Sequence, residues 1–177
     1  MDMAGRVVSI AGFRATNHPQ QTRKRGADPA TDDRATDQRF VDELAVRLGG
    51  PFTLDVAASS ENAKAPDHFT IDDDGLTQSW AGRVWCNPPY SDCGAWVRKA
   101  WEEIMSGRAE VIAMLLPANR CEQRWWQEEI EPYRDRSNVF RVHFLPGRMR
   151  FERPSATIGP KGDRPPFGCV LVVWRKP

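Results

Sequence analysis

Arg83-Val84-Trp85-Cys86-Asn87-Pro88-Pro89-Tyr90 (RVWCNPPY) opens as a short apolar run and ends on two consecutive prolines. Proline has no N–H to give a central ladder, so a strand through Cys86 must leave its sheet at Asn87. The flanks repeat the theme. Residues 51–58 (PFTLDVAA) form an apolar run short enough for a buried strand, and residues 111–116 (VIAMLL) are almost uninterrupted hydrophobic side chains. Such runs mark strands of a parallel sheet covered on both faces. Helical periodicity separates them. Phe40, Val41, Leu44, Ala45 and Leu48 share one face of a helix predicted over residues 36–48, with Asp37 in its first turn and Gly49-Gly50 closing it. Ser91 or Asp92 can cap a second helix, whose apolar face is Trp96, Val97, Ala100, Trp101, Ile104 and Met105 and whose end is Gly107. A third helix is expected over 122–131. Two strand-like runs, 139–145 and 168–174, close the chain as an expected antiparallel pair. Strands alternating with helices predict an α/β fold, a largely parallel sheet with helices on both faces.

The chain has 177 residues, which suits one folded domain over residues 36–177. Residues 1–35, rich in Arg, Asn, Gln, Pro and Asp, read as an irregular basic arm. No run of 18 apolar residues is present, so no membrane partner is expected. A basic-then-apolar secretory pattern is missing from the N-terminus, and the expected location is the cytoplasm. Cys86, Cys93, Cys121 and Cys169 fall at no metal-ligand spacing, and His18, His68 and His143 are scattered, so the thiols are expected reduced and no metal is expected. The net charge of +1 conceals a partition. Residues 1–26 carry +4 and residues 138–177 carry +6, leaving −9 on residues 27–137. Basic ends of this kind attract phosphate backbones.

In open α/β sheets ligands bind beyond the carboxyl ends of the strands. Two strand ends carry unusual chemistry. One is Asp55 followed by Val56, Ala57, Ala58 and Ser59, an acid and then small side chains that let backbone approach a ligand closely. The other is Asn87, Pro88, Pro89 and Tyr90. An aromatic exocyclic amine is a poor nucleophile because its lone pair is delocalised into the ring. Two acceptors aimed at its N–H groups favour the tetrahedral nitrogen that attack requires, and they act best where water is excluded. The Asn87 side-chain oxygen and the Pro88 carbonyl can be those acceptors. The prolines hold the loop rigid through their fixed φ, and Tyr90 offers a face on which a flipped base can stack. For contact with nucleic acid, Arg148 and Arg150 in GRMRF come first and Arg120 and Arg124 second, since a guanidinium can fork onto a phosphate or a guanine edge.

NPPY at a strand end, together with LDVAASSENAK (54–64), DDDGLTQSWAGRVWCNPPYSD (72–92), Trp96, MLLPANR (114–120), Trp125-Trp126, FLPGRMRF (144–151) and PFGCVLVVW (166–174), resembles the phage-type, Dam-like DNA N6-adenine methyltransferase family over most of residues 36–174. That resemblance implies a class I, Rossmann-like methyltransferase fold, S-adenosylmethionine as cofactor and double-stranded DNA as partner. It also implies the host cytoplasm for a phage or prophage protein. Residues Asp55, Ala57, Ala58 and Ser59 would line the methionine end of the cofactor, and Thr36 would meet its carboxylate. Asp73 or Asp74, with Leu76, would receive its adenine. Asp55 and Asn87 are only 32 positions apart, too close for the helices and strands that usually separate these motifs, and no Gly-x-Gly follows Asp55. The ribose acid is therefore open, with Glu61 and its neighbour Asn62 as candidates. N4-cytosine methylation, glutamine methylation of a protein and an inactive DNA-binding relative stand as alternatives.

Overall fold

A computed structural model describes residues 35–134, 136–152 and 167–177; the expected arm, apart from Ala35, lies outside them. In chain order the elements are β1 (Ala35–Thr36), α1 (Gln38–Leu48), β2 (Leu54–Asp55), β3 (Asp67–His68), β4 (Gly82–Cys86), α2 (Cys93–Met105), β5 (Ala109–Pro117), α3 (Arg124–Glu129), β6 (Phe140–Phe144), β7 (Phe151–Glu152) and β8 (Cys169–Arg175). Six strands form one sheet in the order β3-β2-β4-β5-β8-β6. The first four are mutually parallel, and β8 runs antiparallel to both β5 and β6. The expected terminal antiparallel pair is present, with β8 threaded between β5 and β6. A separate antiparallel pair joins β1 to β7, Thr36 opposite Phe151.

Period-two alternation builds two cores. Ile112, Met114 and Leu116 of β5, with Val170, Val172 and Trp174 of β8, face α2 and its Trp96, Val97, Ala100 and Ile104. Val111, Ala113 and Leu115, with Cys169, Leu171 and Val173, face α1 and its Val41, Leu44, Ala45 and Leu48. A sheet buried on both sides needs such continuous apolar strands, so helices on both faces follow directly from residues 111–116.

Capping sets the helix limits. Asp37 lies outside α1 as its N-cap, accepting from the Arg39 N–H at 2.8 Å, and Gly49 closes the helix at φ 99°. The last carbonyls of α1 are held by a guanidinium, that of Arg83, which donates to the Leu48 and Gly50 oxygens at 2.9 and 3.0 Å. Asp92, rather than Ser91, caps α2. Two elements are shorter than expected. The strand predicted over 51–58 is formal only at Leu54 and Asp55, although Thr53 and Val56 still donate to the Arg83 and Trp85 carbonyls. The helix predicted over 122–131 is six residues long and passes into a 3-10 turn at Glu131–Tyr133, where Pro132 sits.

Candidate active site

β2 and β4 are adjacent and parallel, Asp55 opposite Trp85, so the two chemistry-bearing ends emerge side by side at the carboxyl edge of the sheet. Between Asp55 and the start of β4 the chain makes no helix, only β3 and a set of turns. The compression legible in the sequence is real.

Asn87 leaves β4 half-buried, Pro88 is buried, and the chain turns through Pro89 (φ −58°) into a short 3-10 turn at Tyr90–Asp92. The Tyr90 hydroxyl donates to the Asn87 side-chain oxygen at 3.4 Å. Sequence spacing gave no hint of a second ring here. Phe167, 77 positions downstream, packs on Tyr90 with centroids 5.9 Å apart at 59°. The chain just before β8 reaches this edge because β8 runs opposite to β5 and starts beside its end, the Ala118 N–H donating to the Gly168 carbonyl at 2.9 Å.

Asp55 is 2% exposed. Its carboxylate accepts from the backbone N–H of Ala57 at 3.3 Å and of Lys64 at 3.0 Å. Burial pushes its pKa up to about 6, against the pull of those two N–H groups and of the Lys64 and His68 charges. The carboxylate thus cinches the 56–64 loop. Ala57, Ala58 and Ser59 follow half-buried, and the Ser59 N–H donates to the Asn62 side-chain oxygen at 2.8 Å, closing a tight turn that leaves Glu61 exposed. Asn62 shapes the loop, whereas Glu61 is open to solvent.

The 70–78 segment docks against the same end of β2 through Gly75. A Cβ there would lie 2.2 Å from the Val56 carbonyl oxygen and 3.2 Å from the Trp96 ring. The buried Trp80 indole N–H donates to the Gly75 carbonyl at 2.8 Å. Asp73 accepts from the Thr70 N–H and hydroxyl, which hold its carboxyl below the usual range. Asp74 takes a left-handed φ of 51°, and its side chain accepts from the Leu76 N–H at 3.3 Å. Gly75, absent from the expected site residues, is what brings Asp73, Asp74 and the half-buried Leu76 to the Asp55 loop.

Thr36 is 1% exposed, and its Oγ1 is one of the buried side-chain polar atoms without a hydrogen-bond partner among the described residues. It precedes α1, whose C-terminal carbonyls are held by Arg83 at the start of β4, so Thr36 sits at the carboxyl edge with the strand ends.

The four predicted arginines divide. Arg148 and Arg150 are exposed, alternating with Met149 and Phe151, which pack into the α1-side core. Arg120 is half-buried in the 3-10 turn after β5. Arg124 is exposed but ion-paired to Glu128 at 2.7 Å. All four follow the carboxyl ends of β5 or β6 and lie on the Asn87 edge. Trp125 and Trp126 are packing residues: Trp126 is 1% exposed, and Trp125 rests over Gly94. No disulfide joins Cys86, Cys93, Cys121 and Cys169 to one another. Among the described residues no acidic, His or Cys cluster could hold a metal, and no helix is long and apolar enough to cross a membrane. A groove of about 420 Å³ beside Trp126 and Phe144 lies on the α3 flank, away from Asn87.

Residues 24–177 match the family model described as DNA N-6-adenine-methyltransferase (Dam). The chain belongs to this family. Its matched stretch begins at residue 24, inside the expected arm. A curated family member, the DNA N-6-adenine-methyltransferase of Escherichia phage T1, is 32% identical over 124 residues, covering 68% of this chain and 47% of the relative. The chain thus corresponds to about half the length of that relative. Among solved structures, the 23S rRNA methyltransferase ErmE aligns at a TM-score of 0.39 and 15% identity, over 80% of this chain and 50% of that one. A putative RNA methyltransferase from Pyrococcus horikoshii aligns at 0.41 and 16%, over 74% and 66%.

Proposed function

We propose that this chain transfers a methyl group from S-adenosylmethionine to the N6 amine of an adenine flipped out of double-stranded DNA. The observation that carries the proposal is the Asn87 side-chain oxygen, held at the carboxyl end of β4 beside the end of β2, with the Tyr90 hydroxyl 3.4 Å away. When bound, the cofactor supplies an electrophilic methyl. The chain supplies the geometry that makes the amine a nucleophile. The Asn87 oxygen and the Pro88 carbonyl accept the two N–H groups of N6, drawing nitrogen out of conjugation and stabilising the positive charge it gains. On transfer, the N6 lone pair would take the methyl as the thioether leaves, and the methylated nitrogen would release its proton to water, so this reading requires no general base. Tyr90 stacks on the purine.

The residues beside this loop suit the cofactor. Thr36 brings a buried hydroxyl without a partner among the described residues, a ready donor for a carboxylate. The cinched Ala57-Ala58-Ser59 backbone offers close approach, and the exposed Asp73 and Asp74 carboxylates, with Leu76 beside them, can receive an adenine. Glu61 is the proposed ribose acid, and Asn62 holds its turn. Arg148 and Arg150, then Arg120 and Arg124, take the DNA phosphates.

The test compares the wild type with Asn87→Ala, following labelled methyl transfer to duplex DNA alongside calorimetric binding of S-adenosylmethionine. Transfer should fall by about a hundredfold or more while cofactor binding persists. Unimpaired transfer by the variant would remove Asn87 from the mechanism.

A further inference from the structure

Among the described residues five large apolar side chains stand exposed: Val46, Ile71, Met105, Tyr133 and Phe144. Val46 lies on the outer side of α1 and Met105 at the far end of α2, both remote from the carboxyl edge. Tyr133 packs on Trp101. Ile71 and Phe144 lie at opposite ends of that edge, and charge separates them. Ile71 adjoins Asp72, Asp73 and Asp74 on the β2–β3 half, which repels a phosphate backbone. Phe144 ends β6 on the half that carries Arg120, Arg124, Arg148 and Arg150.

We propose that Phe144 is the apolar wedge that enters the DNA base stack as the target adenine leaves it. The inference rests on the proposed function, in which adenine is taken from a duplex. Flipping leaves a gap in the stack, and proteins that distort DNA fill such gaps with apolar side chains. Phe144 is 54% exposed even with one side against Trp126, ring centroids 6.2 Å apart. Its backbone is fixed by pairing with Val170, and the next residue donates its N–H to the Cys169 carbonyl at 3.0 Å, so the ring is presented from a rigid strand end. Leu145 and Met149 turn inward, which leaves Arg148 and Arg150 to grip phosphates beside it. Two acids, Glu122 and Glu131, line the groove beside Phe144; Glu131 is paired with Arg134 at 2.7 Å and accepts from the Trp126 indole N–H at 3.1 Å. Three inter-strand steps separate β4 from β6, roughly 14 Å, the scale on which a base swings from the stack into a pocket at Asn87.

The experiment uses Phe144→Ala and Phe144→Leu on two duplexes bearing the sequence that wild-type protein methylates. One has the target adenine paired; the other has it opposite an abasic site. Phe144→Ala should lose about tenfold or more in kcat/KM on the paired duplex and stay within about threefold of wild type on the unpaired one, because that adenine needs little unstacking. Phe144→Leu, still apolar, should retain most activity on both. Equal loss on the two duplexes would assign Phe144 to packing beside Trp126 and overturn the wedge, as would no loss on either. If wild-type protein modified no DNA, the underlying reading would fall first and the wedge with it.

Discussion

At the residue scale, Asp55 and Asn87 divide the work of the two strand ends. Asp55 spends both carboxylate oxygens on its own loop, at the cost of a pKa pushed up to about 6. A carboxyl whose folded value exceeds its unfolded value binds its proton more tightly in the folded state, so stability from this group is fullest near pH 4 and declines as pH rises through 6. Asp55→Asn should therefore gain on the wild type by up to about 3 kcal/mol between pH 4 and pH 6.5, read from urea melts of both proteins at each pH. A constant difference across that window would mean that Asp55 does not titrate there. Tyr90 belongs to the same scale. Tyr90→Ala should impair base capture, followed with a fluorescent base at the target position, and leave cofactor affinity within about twofold.

At the scale of elements, the fold hangs on polar fastenings that join distant segments. Arg83 of β4 closes α1, and replacing it with Met should cost about 2 kcal/mol by freeing the Leu48 and Gly50 carbonyls, measurable by equilibrium unfolding. Glu103 fastens α2 to the turn before β5. It is fully buried between Lys99 at 2.6 Å and Arg108 at 2.5 Å. Burial alone would raise its pKa, but the two cations outweigh it and lower the value. Glu103→Gln should destabilise by about 1–2 kcal/mol, discounted because Arg108 is half in solvent. That difference should vanish as pH falls through the depressed folded pKa. The element pattern was largely legible because long apolar runs and helical stripes leave little choice: residues 111–116 could only be a central strand, and the Phe40-to-Leu48 stripe only a helix. Short elements were not. The β1–β7 pair spans two residues per strand and joins segments more than a hundred positions apart, with no periodicity to announce it.

At the scale of the molecule, the carboxyl edge is electrically divided: acids of residues 72–74 over β2 and β3, arginines after β5 and β6. The NPPY loop stands between. The strand end at Asn87–Tyr90 was readable from sequence because its signal is local, a strand stopped by prolines. Phe167 and Gly75 were not, since each acts through a contact that only the folded sheet creates. If the basic half holds phosphates, Arg148→Ala should weaken duplex binding and lower the slope of log affinity against log salt by about one, in titrations at several salt concentrations. Unchanged affinity and slope would leave that loop as ordinary surface. The central claim is the identity of the methylated atom. The direct measurement is nucleoside analysis of mixed-sequence duplex DNA after incubation with the protein and labelled S-adenosylmethionine. The account predicts label in N6-methyl-2′-deoxyadenosine alone; label in N4-methyl-2′-deoxycytidine, or none in DNA while a protein substrate is labelled, would contradict it.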